Sequence, residues 1–317
     1  MKTIIKILLF LFIGTPLMAQ QNAYFNQYIF SELIINPAYA GTKEMINLNG
    51  IFSTQWTGFN GAPSTQTLSV DGAVTENIGL GLHLTNDMVG AQMQQSMFGS
   101  YAYKIRLSDK FRLSLGLAVG ASYITLDGSK LNADNPDDPA VPVTNQSALK
   151  FDSKAGLFLY SDRFYAGFSV SDLLGNAIKT KNALLTNQSQ HYYLTAGYVV
   201  DLGKKAKFKP SFLWKDDFRS PTTFDINAMF LFWDRFWLGS SVRFGASIFN
   251  TDDLDNTLRN RNAMIFMTDW NITDNFRLGY AYTLSMTALK DYGGHEIHIG
   301  YYVPTKSTPK MKTPRYF

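Results

Sequence analysis

The stretch Lys110-Phe111-Arg112-Leu113-Ser114-Leu115-Gly116-Leu117-Ala118-Val119-Gly120-Ala121-Ser122-Tyr123-Ile124 repeats with a period of two. Phe111, Leu113, Leu115, Leu117, Val119, Ala121 and Tyr123 fall on one side of it. Arg112, Ser114, Gly116, Ala118, Gly120 and Ser122 fall on the other. Successive side chains of a strand point to opposite faces, so this segment reads as a strand with one oily face and one small, polar face. The pattern returns at Ile78 to Leu84, Phe164 to Val170, Tyr192 to Val200 and Phe276 to Leu284. Working outward from these, fourteen alternating segments can be laid between residues 45 and 304, the sixth over 151–161.

A soluble sandwich alternates in the same way, but three features favour a barrel in lipid. The number of segments is even, as in bacterial outer-membrane barrels. Connections alternate between tight turns and longer loops, the longest running from Asp127 to Lys150 and another from Asp172 to Gln190. The tight turns share one plan: Ser108-Asp109-Lys110-Phe111, Ser161-Asp162-Arg163-Phe164, Trp233-Asp234-Arg235-Phe236 and Thr273-Asp274-Asn275-Phe276. The aspartate and its polar neighbour suit a turn. The aromatics beside them (Tyr160, Phe164, Trp233, Phe236, Trp237, Trp270, Phe276) suit a girdle at a membrane interface. The expected fold is all-β, a transmembrane outer-membrane β-barrel of about fourteen antiparallel strands with both chain ends on the short-turn, periplasmic side. A lumen of that width is not filled by wall side chains alone, so a plug is expected, from the segment ahead of the barrel or from the long loops.

Composition agrees. In 317 residues, 15% are aromatic and 17% charged, and there is no cysteine. Disordered chains carry few aromatics, and disulfide scaffolds and zinc ribbons need cysteines. Helical membrane proteins need apolar runs of about 20 residues. The 29 basic and 25 acidic residues form no large block, unlike the concentrated basic surface of a nucleic-acid binder. At the start, the basic Met1 to Lys6, the apolar Ile7 to Ile13 and Leu17-Met18-Ala19 read as a signal peptide cut after Ala19. Four parts follow: 1–19 signal peptide, 20–41 periplasmic pre-barrel or plug segment, 42–304 transmembrane barrel, and 305–317 a basic tail. That tail holds Lys306, Lys310, Lys312 and Arg315 with no acid, and ends in Tyr316-Phe317.

Chemistry is sparse. His295 and His298 lie three apart on one strand, hence on opposite faces, and do not suit one metal; His83 and His191 stand alone. No G-x-S-x-G elbow is present. The acidic stretches Asp134 to Asp138 and Asp252 to Asp255 lack the spaced calcium-loop pattern. No catalytic residue, cofactor or metal is expected, and the chain does not read as an enzyme.

Ordered along the chain stand Phe25-Asn26-Gln27-Tyr28, Ile35-Asn36-Pro37-Ala38-Tyr39-Ala40-Gly41, Gln55-Trp56-Thr57-Gly58, Gly61-Ala62-Pro63-Ser64-Thr65-Gln66-Thr67, Asp162-Arg163-Phe164-Tyr165-Ala166-Gly167, His191 to Tyr198, Phe224-Asp225-Ile226-Asn227-Ala228, Gly294-His295-Glu296-Ile297 and Pro314-Arg315-Tyr316-Phe317. Together they resemble the PorP/SprF family of the Bacteroidetes type IX secretion system and gliding motility machinery. Asn26 is a small departure, since the family favours serine there. The resemblance implies an accessory outer-membrane barrel, at the cell outer membrane, that docks or anchors secreted cargo. Such cargo carries a C-terminal sorting domain, often of gliding-adhesin type. It also implies periplasmic partners among the translocon and peptidoglycan-linked components, and no catalytic residues. Candidate partner-binding residues are Asn36, Pro37 and Tyr39 ahead of the barrel and Lys310, Lys312, Arg315, Tyr316 and Phe317 in the tail. The alternative is a 14-stranded transporter of hydrophobic small molecules, since such barrels carry a plug with an Asn-Pro-Ala motif similar to Asn36-Pro37-Ala38.

Overall fold

The computed structural model describes residues 26–43, 45–131, 142–174, 189–246, 248 and 262–303. Its strands are β1 Ile46–Thr54, β2 Ser64–Ala73, β3 Ile78–Val89, β4 Gln92–Arg106, β5 Arg112–Leu126, β6 Gln146–Tyr160 and β7 Phe164–Ser171. Next comes β8, His191–Tyr198, which resumes as Val200–Asp201 after a break at Val199; both pieces pair with the same neighbour. There follow β9 Ala206–Asp216, β10 Thr222–Phe232, β11 Phe236–Ala246, β12 Ala263–Asn271, β13 Phe276–Ser285 and β14 Gly294–Val303. Each strand pairs antiparallel with the next, and β14 returns to β1 with Ile46 opposite Val303 and Thr54 opposite His295. The result is a closed barrel of fourteen strands. Closure leaves no edge, the condition for strands to cross hydrocarbon.

Alternation assigns the two faces as expected. Leu68, Leu117 and Val119 are among the most exposed side chains, while Ser114, Ala118 and Ser122 on the opposite face of β5 are buried. The exposed face is the one that meets lipid. One rim, the turn end, carries the connections 74–77, 107–111, 161–163, 202–205, 233–235 and 272–275. The other, the loop end, carries the short connections 90–91 and 217–221 and the longer 55–63, 127–145, 172–190, 247–262 and 286–293.

Four expectations are corrected. β6 begins at Gln146 rather than 151 and pairs with β5 along its whole length, so the loop before it shrinks to 127–145, equal in length to 172–190. The shared turn plan rests on a hydroxyl, not on aspartate. Ser108 Oγ accepts from the N–H of Lys110 at 3.3 Å and of Phe111 at 3.1 Å; Ser161 serves Arg163 and Phe164, and Thr273 serves Asn275 and Phe276, in the same way. The fourth turn departs: Trp233 and Asp234 both have positive φ (52° and 55°), the backbone of a type I′ hairpin. The girdle also loses two members. Trp233 and Trp270 are exposed, but Tyr160 and Trp237 face inward and are buried. Lastly, only the barrel's own ends share the turn end; the segment ahead of β1 leads away from it, through the lumen.

Candidate functional site

The lumen is filled by residues 26–43. They form three single-turn 3-10 helices, Gln27–Phe30, Glu32–Ile34 and Pro37–Tyr39. Asn36 caps the last, its side chain accepting from the Ala38 N–H at 3.0 Å with Pro37 at the first helical position, the arrangement both residues favour. Turns this short leave most of their backbone groups without an internal partner. The barrel wall supplies many of the missing partners. Lys209 Nζ donates to the Ile29 carbonyl at 3.4 Å, Lys154 Nζ to Ile34 at 3.2 Å, Ser169 Oγ to Ile35 at 2.7 Å and Lys104 Nζ to Gly41 at 3.0 Å. The N–H groups of Asn26 and Gln27 donate to the Glu296 carboxylate at 3.0 and 2.6 Å, and that of Gly41 to Asp71 at 2.9 Å. Asn36 Nδ2 donates to the Leu157 carbonyl at 2.9 Å, and Asn227 Nδ2 to Tyr28 Oη at 2.8 Å.

Inward glycines make room for this segment. A Cβ on Gly79 would collide with the Ala40 carbonyl, one on Gly116 with the backbone of Ala38, and one on Gly156 with the Asn36 side chain. Gly41, where the segment turns towards β1, has a φ of +69°, the left-handed region that glycine adopts without steric penalty.

Charge is buried in pairs. Arg277 Nη2 and Nε bond Asp269 at 2.8 and 2.9 Å, and the guanidinium lies 4.8 Å from the centre of the Phe30 ring. His298 Nδ1 meets the other Asp269 oxygen at 2.8 Å, and its Nε2 meets Asn49 Oδ1 at 3.1 Å. Arg243 grips Asp225 with two bonds of 2.7 Å and donates to Asn26 Oδ1 at 3.2 Å. Such pairs, once enclosed, are costly to break; they tie neighbouring wall strands together, and Arg243 on Asn26 and Arg277 over Phe30 extend them to the plug. The histidines are occupied by structure: both ring nitrogens of His298 are engaged, and His83 stacks on Phe98 with a 3.3 Å contact to Lys154. His295 faces outward against Tyr280 Oη at 2.7 Å. Among the described residues, no group of three His, Cys, Asp or Glu side chains could hold a metal ion.

Asn36, Pro37 and Tyr39 are brought together, but inside the lumen and buried. Asn36 bonds the wall, and Tyr39 packs edge-on against Phe158, ring centres 5.4 Å apart. A partner could touch them only if the segment left the lumen. The segment expected to face periplasmic partners thus lies inside the barrel, with Asn26 bonded near the loop end. Lys310, Lys312, Arg315, Tyr316 and Phe317 lie outside the described residues, as do residues 1–19, expected as a signal peptide, and both acidic loop stretches. Read alone, the sequence assigned no site role to Lys104, Lys154, Lys209, Asp225, Arg243, Asp269, Arg277 and Glu296, although Asp225 and Glu296 stand in the motifs quoted above. Each sits on the small, polar face of its strand, which was the available signal.

No curated protein matches the chain. Solved structures with similar folds include a Pseudomonas aeruginosa FadL homologue, at 10% identity over 81% of this chain and 89% of that one, TM-score 0.45. The CymD monoaromatic hydrocarbon channel is 12% identical over 90% and 94%, TM-score 0.48. The Acinetobacter baumannii outer membrane protein Omp33 is 10% identical over 82% and 98%, TM-score 0.46. The family described as type IX secretion system membrane protein PorP/SprF matches residues 17–301. Barrel and family match agree over nearly the whole chain, which belongs to the PorP/SprF family of type IX secretion system proteins of the outer membrane.

Proposed function

We propose that this barrel holds a secreted protein at the cell surface, acting by binding rather than by turnover or by conducting a solute. The observation that carries the reading is the filled lumen. Wall lysines, Glu296 and Asp71 bond the backbone of residues 26–41, and inward glycines are shaped to them. A wall so fitted to its own chain offers binding surface at its rims rather than a path through its middle. The long connections all lie on one rim; in bacterial outer-membrane barrels the longer loops are extracellular. That rim then faces the secreted protein, and the turn end faces the periplasm. Family membership in the type IX secretion system supports a partner exported by that machinery, which we take to be a protein carrying a C-terminal sorting domain.

The test is a strain lacking this gene. One or a few large surface proteins should leave the cell-surface proteome, appearing in the medium or being degraded, while uptake of hydrophobic small molecules is unchanged. An unchanged surface proteome overturns the reading. Defective uptake beside it would revive transport.

A further inference from the structure

The wall is uneven at its loop end. β6 has fifteen residues and β7 only eight. β6 pairs with β5 from Gln146 to Tyr160, but with β7 only from Ala155 to Tyr160. A membrane crossing takes about 9–11 tilted residues. Counted from Tyr160, the loop-end third of β6 therefore runs past the lipid, with β5 as its one strand partner among the described residues. What ends β7 is local. Asp172 has a φ of 58°, a left-handed backbone uncommon for a residue with a side chain. It turns the chain off the edge of β6. The Leu173 N–H still reaches the Ser153 carbonyl at 3.1 Å, but the Leu174 N–H goes to the inward carboxylate of Asp152 at 2.9 Å.

The Ser153 bond also fixes the direction of the backbone groups beyond it. Along a strand these groups alternate between the two neighbours, so the N–H and C=O of Phe151, Leu149 and Ser147 point away from β5. Among the described residues they have no partner. On the outer face Leu149 and Phe151 are exposed by 58% and 59%. On the inner face Ala148 packs with Ile124, Leu126 and Leu131, which stiffens the projecting ribbon. Next to it Lys150 is buried, and among the described residues its Nζ has no hydrogen-bond acceptor.

We propose that this edge of β6 is where the secreted partner docks, by adding an extended segment as a further strand. A row of alternating donors and acceptors is matched by another strand, whereas lipid chains offer neither. Alternate residues of the visiting strand meet different surfaces. Those facing out lie beside Leu149 and Phe151 and are apolar. The one opposite Lys150, its Cβ about 5 Å away, is an aspartate or glutamate that gives the ammonium its acceptor. The identity of the partner rests on the function proposed above; the open edge does not.

The absence of native cysteine allows a single benzophenone-maleimide label on the full-length protein in cells, at Leu149→Cys or, as a rim control, at Asn60→Cys in the loop 55–63. Irradiation should join position 149 to the exported protein that leaves the surface in the deletion strain, through a peptide that alternates apolar residues with an acid. Leu149→Pro is the second variant. Its N–H takes no part in the β5 ladder, and an edge strand accepts proline on that side. The heat-dependent gel shift of the barrel should persist, while partner retained at the surface falls about tenfold, the worth of one ladder bond. Capture of the partner from position 60 alone, capture of a second copy of this chain from position 149, or a folded Leu149→Pro variant that retains the partner overturns the docking edge and leaves the proposed function standing. No capture at either site, with a surface proteome that deletion leaves unchanged, overturns both.

Discussion

Glycine and buried charge are the residues that join wall to plug. A Cβ at Gly116 would overlap the backbone of Ala38, whereas one at Gly99, on the same sheet, meets nothing within 4 Å. Gly116→Val should therefore lower stability by about 1–3 kcal/mol, the usual cost of overpacking. Gly99→Val should stay within about 0.5 kcal/mol. Urea unfolding of the purified barrel, read by its heat-dependent gel shift, compares the two. Asp269 receives both Arg277 and His298. Asp269→Asn leaves Arg277 buried without its charge partner and should cost about 3–5 kcal/mol. Asp269→Leu combined with Arg277→Met should cost less than the single change, because no uncompensated charge remains. The same unfolding series tests this order.

Turns and plug are read at the scale of the element. In three of the four similar turns the Ser or Thr hydroxyl accepts two backbone N–H groups, while the following aspartate projects outward. Ser161→Ala should cost about 0.5–1.5 kcal/mol, the worth of an ordinary hydrogen bond. Asp162→Ala should stay within about 0.5 kcal/mol, and a larger loss for Asp162→Ala would reverse the assignment. The strands were legible because alternation is a local property, visible over a few residues. The plug's place was not, since its bonds join residues as distant as Asn26 and Glu296, 270 positions apart. Trp237 shows the same limit. Beside a turn it suggested a girdle, yet its ring packs against Phe30 with centres 6.0 Å apart, and only the barrel's closure brings these together.

For the molecule as a whole, the central expectation is that wall and plug work as one body. Ser31 Oγ on the plug and Ser69 Oγ on β2 are 3.5 Å apart, close enough for a replacing pair of cysteines to approach disulfide geometry. Ser31→Cys with Ser69→Cys should cross-link under oxidation and leave surface retention of the partner intact. Loss of retention that reductant restores would mean that the plug must move in function.

By itself the sequence determined the strand count, the lipid-facing side of the strands with the clearest alternation and the family, because each is written in short-range alternation or in ordered local motifs. Only the tertiary structure decided that the pre-barrel segment fills the lumen, that it starts near the loop end, and that Asn36, Pro37 and Tyr39 are enclosed. Those facts depend on barrel closure, which sets Glu296, Arg243 and Lys154 around a backbone far away in sequence and gives its unpaired amides and carbonyls their partners.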